Sequence, residues 1–126
     1  MSDQQIVLQE EINDLVITAY KNNANDKELI IALDGAIDTY NSQAFEAALN
    51  KLLELGHIHL VFSCNKLSYI SSMGIGVFLN LLTTVKKRTG SIVFTEMQEL
   101  VVKVFENLGF SIFFEFKERL NDGHKP

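Results

Sequence analysis

Short apolar runs rich in strand-forming residues alternate along this chain with stretches whose apolar residues recur every three or four positions. A period of two belongs to strands and a period near 3.6 to helices, so the chain must build a sheet and pack helices on it. Leu-Val-Ile-Thr-Ala-Tyr at 15–20 is followed by the turn cluster Asn22-Asn23-Ala24-Asn25-Asp26 and by Glu-Leu-Ile-Ile-Ala-Leu at 28–33. This pattern predicts an antiparallel hairpin. Asp34-Gly35 is expected to break the second strand. Asn41 or Ser42 is placed to cap a helix, with Glu46 in its first turns. Phe45, Ala48, Leu49, Leu52 and Leu53 give that helix its buried face, and Gly56 closes it.

The nearly continuous apolar run at 59–64 predicts a strand covered on both faces. A second helix is expected from Ser71 or Ser72 to Lys87, stopped by Thr89-Gly90, and a buried strand follows at 91–95. Met97, Leu100, Val101, Val104, Phe105 and Leu108 form a third amphipathic stripe ended by Gly109, and 112–116 reads as a last short strand. The order β-β-α-β-α-β-α-β calls for an α/β domain: a mixed four- to five-stranded sheet packed with about three to four helices. Residues 1–12, polar around Ile6-Val7-Leu8, form either an arm or an added edge strand. The domain proper is expected over 13–117, with a polar tail at 118–126.

With 126 residues, 47% of them hydrophobic, the chain is large enough for one domain with a real core. Nine Phe and no Trp fit a core filled by rings that need no hydrogen-bond partner. The net charge of −5 argues against a nucleic-acid partner. Lys86-Lys87-Arg88, the one dense basic cluster, falls where a helix should end and complements its dipole. Cys64 stands alone at the end of an apolar run and reads as a buried, inert thiol. The polar, acidic start Met1-Ser2-Asp3-Gln4-Gln5 is unlike a secretion signal, and no run approaches 18 uncharged apolar residues. The expectation is a cytoplasmic protein without a membrane partner.

The chemistry concentrates in Leu67-Ser68-Tyr69-Ile70-Ser71-Ser72-Met73-Gly74-Ile75-Gly76-Val77-Phe78-Leu79, where a strand and loop should hand over to a helix. Two hydroxyl residues at a helix N-terminus meet backbone N–H groups that need acceptors. Two glycines in the first turns cost helix stability, roughly 1 kcal/mol each relative to Ala. Tight helix–sheet packing is one account of them, and close approach of another chain is the other. A phosphate on Ser72 would face the positive end of the helix dipole and add charge to a partner surface. Val77, Phe78, Leu81, Leu82 and Val85 make one apolar face, while Ile75 and Leu79 point partly elsewhere. A helix apolar nearly all round suggests that part of it serves a partner.

The element order, the segment Leu33-Asp34-Gly35-Ala36-Ile37-Asp38 and the segment 67–79 resemble the STAS-domain anti-sigma factor antagonists over roughly residues 13–117. Gly35-Ala36-Ile37-Asp38 matches the family's Gly-x-Leu-Asp. Aligning Gly74 and Gly76 with its Asp-Ser-Ser/Thr-Gly-Leu-Gly places the phosphorylated Ser at Ser72. Asp38 then matches the acidic residue near the phosphosite. The family's Asp is Ser71 here, which becomes a competing acceptor, and its second hydroxyl residue is Met73. The resemblance implies a regulatory module that sequesters a serine kinase doubling as an anti-sigma factor. Phosphorylation releases the kinase, and a PP2C-type phosphatase restores the antagonist. It also implies a site environment of Asp38, Asn41, Ser71, Met73, Gly74, Ile75 and Gly76. The alternative is a constitutive STAS scaffold in a signalling complex, never phosphorylated.

No enzyme, metal or cofactor is expected. A nucleophile elbow needs Gly-x-Ser-x-Gly, and the residue two before Ser72 is Ile70. His57 and His59 begin a strand and His124 lies in the tail, so no base accompanies Ser72. His57 and His59 lack Cys or carboxylate neighbours at ligand spacing, and Gly74-Ile75-Gly76 lacks the Lys of a phosphate loop.

Overall fold

The computed structural model describes residues 5–118. Six strands form one sheet: β1 (Ile6–Ile12), β2 (Leu15–Lys21), β3 (Leu29–Ile37), β4 (His59–Ile70), β5 (Ser91–Thr95) and β6 (Glu115–Lys117). Three α-helices connect them: α1 (Ser42–Glu54), α2 (Ser72–Lys87) and α3 (Glu99–Asn107). Spatial order equals chain order, with β1, β2 and β3 antiparallel and each step from β3 to β6 parallel. The sheet is thus mixed, as expected, with one strand more than the expected range. The extra strand is β1, which pairs with β2 from Ile12↔Leu15 outward. Of the expected polar tail, 119–126 lies outside the described residues, as do 1–4 at the other end.

Successive parallel steps in one direction, each with the usual right-handed crossover, put every helix on the same face. The aromatic core follows that geometry. Phe62 of β4 and Phe94 of β5 are register partners, and both pack against Phe78 of α2 at centroid distances of 5.0 and 4.9 Å. Phe78 also meets Phe45 of α1 and Phe105 of α3. Leu15, Ile17, Ala19, Leu29, Ile31, Leu33, Leu60 and Cys64 complete the covered face. Burial raises the pKa of the Cys64 thiol and keeps it protonated.

The run at 59–64 is covered by helices on one face only, not both. Val61 is nonetheless buried, because its register partners Ile30 and Val93 flank it in the middle of the sheet, while Ser63 is half-exposed.

Asp34-Gly35 does not end β3. Gly35 sits at φ +125° in a bulge, with register shifts on either side, and Ala36 N donates to Asp14 O at 3.1 Å. A Cβ at Gly35 would stand 1.8 Å from that carbonyl, so only glycine lets the hairpin turn approach. β4 likewise continues past Cys64 to Ile70, pairing Lys66, Leu67, Tyr69 and Ile70 with the far half of β3. No loop separates it from α2. His59 begins β4, whereas His57 precedes it.

The C-terminal third departs more from expectation. α3 spans nine residues and turns only Val101 and Phe105 fully inward, so Leu100 is 75% exposed and Leu108 is exposed too. A helix this short, meeting the sheet along one i, i+4 line, cannot bury the whole stripe. The expected strand at 112–116 is a 3₁₀ turn at Ser111–Phe113 followed by β6. The turn swings Phe114 inward and leaves Ile112 and Phe113 in solvent.

Lys86 and Lys87 occupy the last turn of α2, as the dipole reading expected. The neighbouring Arg88 Nη1 donates to Leu53 O near the end of α1, at 3.3 Å.

Candidate functional site

The strand-to-helix handover is a single residue. Ser71 N donates to Ile37 O at 2.8 Å, extending the β3–β4 pairing by one bond. At φ −86° and ψ 167° Ser71 is still extended, and its Oγ accepts from Gly74 N at 3.1 Å. It is therefore the N-cap of α2, buried, with its own carbonyl accepting from Ile75 N. Ser72 is the first helical residue and is exposed. No acidic residue lies in the first turn of α2. The site occupies the carboxyl ends of β3 and β4, where open α/β sheets present their functional residues.

The two glycines have different reasons. A Cβ on Gly74 would lie 2.7 Å from Ile37 Cγ2 and 2.9 Å from Ile70 Cγ1, so Gly74 lets the helix start against the strand ends. A Cβ on Gly76 would meet nothing within 4 Å. Gly76 sits inside a helix, where glycine costs roughly 1 kcal/mol against Ala, and nothing in its own packing requires it.

Asp38 and Asn41 shape the turn facing Ser71. Asp38 Oδ1 accepts from Tyr40 N at 2.8 Å and Asn41 N at 2.9 Å. Asn41 Oδ1 accepts from Asp38 N at 2.9 Å, and its Nδ2 donates to Ala36 O at 2.9 Å and Ile12 O at 3.5 Å. Of the two expected caps for α1, Asn41 takes the N-cap position, but without a side-chain cap bond. Its amide is spent on the turn and on β1 and β3, and Ser42 Oγ donates to Thr39 O. Asn41 is fully buried and its side chain is fully engaged.

The expected partner face on α2 is narrowed to Met73 and the half-buried Leu79 and Leu82. Ile75, Val77, Phe78, Leu81 and Val85 are buried and Leu79 and Leu82 are half-buried. With α1 on one side, α3 on the other and the sheet beneath, α2 uses nearly all its apolar residues within the core. The exposed apolar groups of the site are Met73 in the first turn of α2 (54% exposed) together with Tyr40 (88% exposed) and Tyr69 outside it. Tyr40 and Tyr69 escaped the sequence reading because they belong to separate segments, joined only when Ile37 pairs with Ile70. Tyr69 within the 67–79 segment and Tyr40 two residues past Asp38 were the available signal.

Between the start of α1 and the first turns of α2 runs an open groove of about 560 Å³, with Gly76 in its lining. Asn80 Nδ2 donates to Glu46 Oε2 at 3.3 Å, linking the helices along it. His57 and His59 lie at the opposite end of β4, on the order of 40 Å from Ser72 by strand rise. Among the described residues no three His, Cys, Asp or Glu gather as a metal site, and no helix is long and apolar enough to cross a membrane.

The STAS domain family model matches residues 16–123. BtrV of Bordetella bronchiseptica, a candidate anti-sigma factor antagonist, is 35% identical over 89 residues, 70% of this chain and 77% of its own. The anti-sigma-B factor antagonist of Bacillus subtilis is 30% identical over 103 residues, 82% of this chain and 92% of its own. The structure of the anti-sigma factor antagonist SpoIIAA in its unphosphorylated form superposes with a TM-score of 0.66 at 18% identity, over 79% of this chain and 86% of its own. The phosphorylated form of SpoIIAA, from Bacillus, gives 0.59 at 17% identity, over 79% and 89%. With its sheet order, its Ser-capped α2 and these relatives together, the chain belongs to the STAS-domain anti-sigma factor antagonist family.

Proposed function

We propose that this protein is a phosphorylation-controlled antagonist: with Ser72 unmodified it binds and sequesters a serine kinase that acts as an anti-sigma factor. Phosphorylation of Ser72 by that kinase releases it, and a PP2C-type phosphatase resets the antagonist in the cytoplasm. The observation that carries this reading is the division of labour between two adjacent serines. Ser71 is buried with its Oγ committed to Gly74 N, while Ser72 is exposed one residue later. This favours Ser72 over Ser71 as acceptor.

The physics of release follows from that position. Gly74 N and Ile75 N are already bonded to Ser71, and the amides of Ser72 and Met73 precede the first intrahelical bond. A phosphate there is stabilised by the helix dipole, so α2 stays folded. What changes is the surface: roughly two negative charges arrive where a partner packs, at a cost of several kcal/mol if unpaired. Each 1.4 kcal/mol is about tenfold in affinity. The net charge of −5 and the acidic groups Asp38 and Glu46 near the site favour a protein partner over nucleic acid.

Incubation with ATP and the cognate kinase, followed by mass spectrometry of wild type and Ser72→Ala, tests the assignment. Labelling should appear in wild type and vanish in Ser72→Ala; labelling that persists sinks it. The constitutive-scaffold reading rests on Ser71 standing where the family has Asp. Ser72→Asp separates the two, since it abolishes kinase binding in a switch and leaves a scaffold unaffected.

A further inference from the structure

Gly76 has no explanation inside its own chain. Its backbone is helical, so no left-handed conformation requires glycine, and a methyl group there would meet open space. What glycine does provide is a stretch of bare helix in the groove between α1 and α2. Met73 and Leu79 line that groove from α2, and the exposed ring of Tyr40 stands at its other wall. Its charged group is Glu46, held by Asn80 at 3.3 Å, while the cations of α2, Lys86 and Lys87, sit at the far end of that helix. The groove therefore offers an apolar wall on α2, a facing wall of Thr39, Ser42 and Gln43 topped by the Tyr40 ring, a bare floor and a negative rim, and it adjoins the exposed Ser72.

We propose that this groove receives a bulky apolar side chain, flanked by a Lys or Arg, from the surface of the anti-sigma kinase, seated over the bare backbone of Gly76 with its cation against Glu46. The partner's identity rests on the function proposed above; the chemistry of the occupant rests on the groove alone. Continuity with Ser72 makes the two parts of one contact surface. The groove gives affinity, and the serine decides whether that affinity is used.

The test exploits opposite effects on stability and binding. Gly76→Ala should raise the melting temperature by about 3–5 °C, because alanine favours the helix and meets no obstacle. The same change should weaken binding of the purified kinase about tenfold by calorimetry, and Gly76→Leu about a hundredfold. Glu46→Arg should lose about tenfold. Lys87→Ala, in the last turn of α2 and away from the groove, should bind like wild type. A folded Gly76→Leu that binds the kinase as tightly as wild type overturns the proposal. Should wild type itself not bind the kinase, the functional reading fails while the groove is still testable. A synthetic amphipathic helix with Leu and Arg on one face is then compared with the same helix carrying Glu for Arg, monitored by amide chemical shifts. Shifts at Gly76, Leu79 and Glu46 with the Arg peptide alone support the groove. Equal shifts with both peptides, or none, overturn it.

Discussion

The amide of Ser71 donates to the carbonyl of Ile37 at 2.8 Å, so the last residue of β3 holds the residue that caps α2. One bond thereby fixes the direction in which the helix leaves the sheet and the side on which Ser72 is presented. It also brings the turn that begins at Asp38 beside the cap.

Removing the cap should destabilise the fold without changing its architecture. Ser71→Ala is expected to lose about 1 kcal/mol in urea unfolding, the usual effect of deleting an N-cap oxygen. Ser71→Asp, which restores the residue type of the family, keeps an acceptor for Gly74 N and should stay within a few tenths of a kcal/mol of wild type. Equal losses in both variants would show that the oxygen is not what matters.

Gly74→Ala should act opposite to Gly76→Ala, although both replace glycine in the same two turns. The added methyl at 74 meets Ile37 and Ile70 closer than 3 Å, so overpacking of about 1–3 kcal/mol should exceed the helix-propensity gain. Parallel melts of the two variants, shifted in opposite directions, are the expected readout.

Asn41→Ala should be among the more damaging changes at a polar residue. It strips partners from the part-buried Asp38 N and Ala36 O, a loss of about 1–3 kcal/mol. Asn41→Asp keeps the acceptor for Asp38 N but offers no donor to Ala36 O, and is expected to rescue only part of the loss. Equilibrium unfolding of both variants decides.

His57 should make stability fall in mild acid. Burial, with Lys21 nearby, holds its pKa below the ordinary 6.5. The unfolded chain therefore takes up a proton near pH 6.5 that the folded chain resists, and the stability present above that pH is lost as pH falls through the folded value. His57→Gln should flatten the slope of unfolding free energy between pH 7 and 5, and an unchanged slope would assign the loss to other groups.

How much of this was legible in the sequence depends on how local each feature is. Ser72, the helix it opens and the Thr89-Gly90 stop were readable because caps and stops are written within four or five residues. β5 was readable from its apolar run between Gly90 and a polar stretch. The bulge at Gly35 was not, because the need for glycine comes from Asp14 across the hairpin. Nor was the burial of α2, since whether Leu81 or Val85 faces solvent depends on where α1 and α3 dock. At the site, the residue types at 71–76 were legible, whereas the different reasons for Gly74 and Gly76, and the place of Tyr40 beside them, required the pairing of Ile37 with Ile70.

Because strand order equals chain order, the two margins of the sheet among the described residues are its first and last strands, β1 and β6, while the Ser72 end belongs to the central pair β3 and β4. Any strand grafted beyond either margin widens the sheet sideways and leaves that end alone. Additions at either flank would therefore leave the shape of the Ser72 end unchanged, which makes the two margins of the sheet and the site independent of one another in space.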